Sequence, residues 1–204
     1  MKGLLIKDFL SIKIQLTTYI LVVAIWGVTF ILNSKIQFFS ALMTLLTTMV
    51  IQTSMALDER CKWDKFGLIM PVSRTQAVYS KYILAVILSA ISFAITVVAN
   101  IIADKALVFS SIDTSVTCFF MSLIIISINL PVIFRFGYEK SKYMLMALLG
   151  IPIALIVIIM ELQLFNDNMV MVVTNLLNYI PFLAVIIMGI SIYLSINFYY
   201  KKEF

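Results

Sequence analysis

The chain has 204 residues, 63% of them hydrophobic and only 12% charged, with a net charge of +5. Soluble domains average about 25% charged residues, so this composition exceeds what one soluble core can hide, and lipid must cover the remainder. The positive charge is not a nucleic-acid signal, because the basic residues flank apolar runs, where anionic lipid on the cytoplasmic surface attracts them.

A bilayer core about 30 Å thick needs about 20 apolar residues per helical crossing. Six segments meet or approach that length: 16–33, 36–57, 82–103, 114–134, 144–160 and 180–199. The expected fold is therefore an all-α polytopic membrane protein with six transmembrane helices in a single transmembrane domain, 1–204.

Before the first span, residues 1–15 place Leu5, Phe9, Ile12 and Leu16 at helical spacing, with Lys7, Ser11 and Gln15 opposite. An amphipathic helix of this kind lies in the membrane interface; the alternative is that it extends the first span inward. Asp8, Ser11 and Lys13 interrupt the early apolar run, and no small-residue cleavage pattern follows near Asn33, so the segment reads as retained rather than as a signal peptide.

The second span carries a polar stripe of Ser40, Thr44, Thr47, Thr48 and Gln52, with Thr44, Thr48 and Gln52 at i, i+4, i+8. Such stripes pack helices closely or line a pathway. The third span holds twelve Ile, Leu, Val or Phe residues, worth about −4 to −7 kcal/mol of insertion energy at most. In the fifth span, the shortest, Pro152 removes a backbone donor two residues after Gly150 and predicts a kink. Residues 161–179 form an external segment with apolar patches at 169–173 and 176–177, which Asp167 or Asn168 can cap as a short helix. It is too short to cross, and reads as a short re-entrant helix before the last span or as an ordinary surface helix.

Thirteen of the fifteen Lys and Arg residues fall in alternate connections: before the first span, in 58–81, in 135–143 and after the last span. Only Lys35 and Lys105 lie opposite. Short loops rich in Lys and Arg stay cytoplasmic, which predicts both termini inside. Cys61 and Cys118, one in a loop and one in a span, read as free thiols in a reducing compartment.

Several chemistries lack their residues. The chain has no histidine, which removes Ser-His and Cys-His nucleophile pairs and histidine-metal ligation, and two cysteines alone make no zinc site. No glycine opens a G-x-x-x-x-G-K-[ST] loop. No ionisable residue sits well within a span, whereas ion-coupled carriers keep such groups at mid-membrane depth to bind the coupling ion. If the chain moves a solute uphill, the energy enters from elsewhere.

The loop 58–81 contains Asp58-Glu59-Arg60-Cys61-Lys62-Trp63-Asp64-Lys65-Phe66, then Met70-Pro71-Val72-Ser73-Arg74, then Ser80-Lys81-Tyr82. With Phe136-Gly137-Tyr138-Glu139-Lys140 and the closing Tyr200-Lys201-Lys202-Glu203-Phe204, it resembles the type-2 membrane (permease) subunits of ATP-binding-cassette (ABC) exporters, in the small bacterial six-span branch. The resemblance covers nearly the whole chain. It implies a bacterial cytoplasmic-membrane protein that works with a second permease copy or a related subunit. It implies also that separate cytoplasmic ABC ATPase subunits bind ATP and Mg, leaving this chain non-catalytic and without a cofactor or metal of its own.

In that family the loop between spans two and three couples to the ATPase. This carries over to Glu59, Arg60, Trp63, Asp64, Lys65, Phe66, Met70, Pro71, Ser73 and Arg74, which the residues alone allow equally as a lipid-anchored loop. Arg135, Phe136, Tyr138, Glu139 and Lys140 make up the second cytoplasmic loop. Substrate in such exporters passes along the second and fifth spans, so Thr44, Thr47, Thr48, Gln52, Gly150 and Pro152 become pathway candidates. The substrates implied are amphipathic or antimicrobial peptides, lipids or drugs. Two rival readings stand beside this one: an ion-coupled carrier and a non-transporting scaffold or immunity protein.

Overall fold

Long apolar runs satisfy their backbone groups internally by coiling into helices, which lipid requires. The computed structural model describes residues 2–32, 36–63, 66, 73–103, 108–161 and 179–201. Among them lie six helices: α1 (Lys2–Leu32), α2 (Ile36–Arg60), α3 (Arg74–Ala103), α4 (Val108–Phe136), α5 (Tyr138–Glu161) and α6 (Ile180–Lys201).

The expected six transmembrane helices are not what the structure holds. Among the described residues four helices are long and apolar enough to cross a membrane: Phe38–Arg60, Arg74–Ile102, Asp113–Phe136 and Ile180–Lys201. A fifth is added only if Gly3–Lys13 and Gln15–Phe30, set at 62° to each other, count as one broken span. The reasons lie in the two segments that fall short. In α1, Lys7, Asp8 and Lys13 divide a polar first part from an apolar second part that is brief for a crossing. In α5, Glu139, Lys140 and Lys142 occupy the opening turns of an unbroken helix and leave 143–160 as its apolar part, a little short of the usual crossing length. The external segment and its re-entrant helix lie outside the described residues, apart from Glu161 and Tyr179.

Helix α4 is the hub, packing against α2, α3, α5 and α6, while α1 covers α2 and α3. The main core joins Ile51 and Met55 of α2, Val78, Tyr82 and Ala85 of α3, Ile126, Leu130 and Ile133 of α4, and Tyr199 of α6. The amphipathic face of the first fifteen residues finds its partner too: Ile12 is buried against Val50 and Leu84, with Leu5, Phe9 and Leu16 around it.

Pro131 lies inside α4 and can offer no amide hydrogen to the carbonyl of Ser127, four residues earlier. That carbonyl instead accepts a hydrogen bond from the Ser191 hydroxyl of α6. Tyr82 Oη of α3 meets Ser191 Oγ at 2.5 Å and Ser195 Oγ at 2.8 Å, so one hydroxyl cluster ties α3, α4 and α6 together.

Candidate functional site

One end of the bundle gathers the first turns of α1, the end of α2, the start of α3, the α4–α5 junction and the end of α6. There Lys7, Asp8, Asp58 and Lys81 form a closed ring of alternating charge. Lys7 Nζ lies 3.0 Å from Asp8 and 2.6 Å from Asp58, and Lys81 Nζ lies 2.8 Å from Asp8 and 2.5 Å from Asp58. Lys81 also donates to Ser54 Oγ at 3.0 Å.

Asp8 is 1% exposed and Lys81 6%. Burying either charge alone is prohibitive, and burial becomes tolerable only where each charge is paired and hydrogen-bonded. Here every member touches two opposite charges, and the ring is neutral. A cavity of about 50 Å³ lies beside it, bordered by Leu4, Glu59, Trp63 and Ser80.

Glu59 joins the two loops that the sequence treats separately. Gly137 ends α4 with φ +83°, a left-handed conformation that glycine adopts without penalty. A β-carbon at that position would stand 3.0 Å from Glu59 Oε1. The space left by glycine lets the Glu59 carboxylate accept the Tyr138 amide at 2.5 Å, capping the N-terminus of α5, where negative charge is favoured.

Arg74 makes the complementary contact. Its guanidinium donates to the Tyr200 carbonyl at 2.8 Å, placing a cation at the C-terminal end of α6. Ser73 caps the start of α3 by accepting the Gln76 amide at 3.3 Å.

Of the other loop candidates, Arg60 is exposed, Trp63 is half-buried and Phe66 is 57% exposed. The Lys7 ammonium sits 4.3 Å from the centre of the Trp63 ring, so α1 and the loop touch through a cation–π contact. Asp64, Lys65, Met70 and Pro71 lie outside the described residues. In the second loop Tyr138 is half-buried, Glu139 and Lys140 are exposed, and the Arg135 guanidinium lies 4.9 Å from Phe136 and 5.0 Å from Phe198.

The polar stripe of α2 runs into the bundle. Thr47 Oγ1 meets Ser92 Oγ of α3 at 2.5 Å, Thr48 donates to the Thr44 carbonyl at 2.9 Å, and Gln52 is buried. Thr47, Thr48 and Gln52 are thus buried within the bundle. Thr44 is half-buried, and Gly150 and Pro152 are exposed on α5. Cys61 and Cys118 are both free.

Reading the sequence alone passed over the charge ring. In the sequence Asp8 reads only as an interruption of an apolar run, and Lys81 as one more residue of the basic 58–81 loop. The available signal was an acid on the boundary of an amphipathic helix otherwise furnished with lysines.

Long helices that are apolar outside, rich in hydroxyls inside and charged at one end define a polytopic membrane protein. The chain belongs to the ABC-2 family of transporter proteins: the profile described as "ABC-2 family transporter protein" matches residues 3–200. No curated protein and no solved structure matches it. The protein is thus a non-catalytic membrane permease of that family, and among the described residues no group of three or more His, Cys, Asp or Glu side chains could hold a metal ion.

Proposed function

We propose that this permease is the membrane subunit of an ATP-driven exporter, pairing with a second copy or a related subunit and receiving its energy from separate cytoplasmic ABC ATPases through the 58–81 loop. One observation carries the coupling part of this reading. Both flanks of that loop are fastened to the bundle, Asp58 and Lys81 through the charge ring, Glu59 to the α4–α5 junction and Arg74 to the end of α6. A push on the loop would therefore reach α1, α2, α3, α5 and α6 at once rather than dissipate in a loose tether.

The charged end would face the cytoplasm, where short basic loops remain. Substrate, of the amphipathic peptide, lipid or drug class, would pass along α2 and α5, with Thr44, Gly150 and Pro152 as the accessible members of the pathway set.

Phe66 is the cleanest probe, because its ring is exposed. A docked aromatic anchor contributes about 2 kcal/mol or more when truncated to Ala, and 1.4 kcal/mol is tenfold in affinity. Phe66→Ala should thus weaken retention of the ATPase on purification by roughly thirtyfold, without altering membrane insertion. Copurification of no stoichiometric ATPase with the parent chain would sink the exporter reading. Full retention and full transport by the variant would remove Phe66 from the docking surface.

A further inference from the structure

We propose that the groove between α4, α5 and α6 binds an anionic phospholipid, with its acyl chain along the groove and its phosphate on Arg135. The groove has a volume of about 380 Å³ and is walled by Ile128, Pro131, Val132, Met144, Ile190 and Leu194. From Ser127 to Phe136 it follows α4 for about 13 Å, at 1.5 Å per residue. Its walls belong to helices that are apolar on this side, so a chain lying in it exchanges one hydrocarbon surface for another and is selected by shape.

The headgroup end supplies the chemistry. Arg135 occupies the last turn of α4, held near the ring centres of Phe136 and Phe198. Both rings attract the cation without taking up its N–H donors as an oxygen acceptor would, so the guanidinium keeps its capacity for an anion. Among the described residues no carboxylate lies within ion-pair distance of it, although the neighbouring ring consumes Asp8 and Asp58 completely. A planar fork of donors beside two aromatic rings suits a phosphate oxygen pair.

The surroundings have the same sign. Lys140, Lys142 and Lys201 are exposed at this end, against Glu139. Basic pockets between membrane helices select anionic headgroups on this principle. A second copy seated in the groove would instead have to cover the Arg135 charge, for which the groove offers no acceptor. This site is independent of the ATPase-coupling reading.

The test uses the full chain in mild detergent and native mass spectrometry, titrating phosphatidylglycerol and phosphatidylcholine of identical acyl chains. Phosphatidylglycerol should bind about tenfold more tightly, and Arg135→Gln should abolish that preference. Lys13→Gln, which removes the same charge from an exposed site on α1, should retain it. Ile190→Trp, on an exposed groove wall, should lower binding of both lipids, and excess inorganic phosphate should not displace the bound phosphatidylglycerol.

Equal affinity for the two lipids in the parent chain would overturn the proposal. So would an unchanged preference in Arg135→Gln, or an equal loss in Lys13→Gln, which would mean diffuse charge. Displacement by inorganic phosphate would reduce the site to a phosphate site. Conversion of a dimer to a monomer by Ile190→Trp with lipid binding intact would assign the groove to a second copy.

Discussion

The charged end and the middle of the bundle solve the same problem with different chemistry. Both must satisfy polar groups away from bulk water. At the end, full charges form a neutral ring across three helices and carboxylate and guanidinium groups cap two helix termini. In the middle, neutral hydroxyls bond to one another and to backbone carbonyls, as in the Tyr82, Ser191 and Ser195 cluster and the Thr47–Ser92 pair. Deeper placement makes an unpaired charge more costly, while a hydroxyl can fall back on a carbonyl of its own helix. The end should therefore break sharply and the middle should yield gradually.

The largest expected effect follows from the ring. Lys81→Met leaves the buried Asp8 with only Lys7, and breaking a buried pair on one side costs about 3–5 kcal/mol. Adding Asp8→Leu to that variant should recover part of the loss, because the stranded carboxylate is gone. Denaturation of the purified chain in detergent measures both, and the sum of the two single changes should exceed the double by more than 0.5 kcal/mol, the usual limit for independent sites. Additivity would mean that the ring members do not depend on each other.

Next comes the junction. Gly137→Ala forces a β-carbon into a left-handed conformation, at about 1–2 kcal/mol, and presses it against Glu59. Glu59→Gln, which keeps an acceptor for the Tyr138 amide, should lose less than Gly137→Ala in the same assay. If Glu59→Gln proves the more damaging, the carboxylate charge rather than the backbone geometry holds the junction.

In the middle of the bundle, Tyr82→Phe deletes the hydroxyl that meets both Ser191 and Ser195. Membrane hydrogen bonds average about 0.6 kcal/mol, with a maximum near 1.7, and two partners place this variant towards the upper value. Thr47→Val removes the link to Ser92 together with the hydroxyl's bond to the Met43 carbonyl of its own helix; only the first joins two helices, and the change should cost about 0.6 kcal/mol, the smallest effect of the set. A loss at Thr47 comparable to that at Lys81 would erase the distinction between the two regions.

The sequence by itself determined that the chain is helical and membrane-embedded, that its basic residues collect at one end, and that residues 1–15 carry an apolar face. Each of these follows from local composition and a period of 3.6 residues, which Leu5, Phe9 and Ile12 display without any partner. The same local reading overcounted the spans, because hydropathy registers apolar length but not the 62° break in α1. Only the tertiary structure decided that Asp8 meets Lys81 across 73 positions and Glu59 meets Tyr138 across 79, and that Ser191 satisfies the carbonyl freed by Pro131. Those pairings depend on how the helices are ordered around α4. A carboxylate, a lysine or a serine looks the same in the chain whether its partner is water, lipid or a residue on another helix.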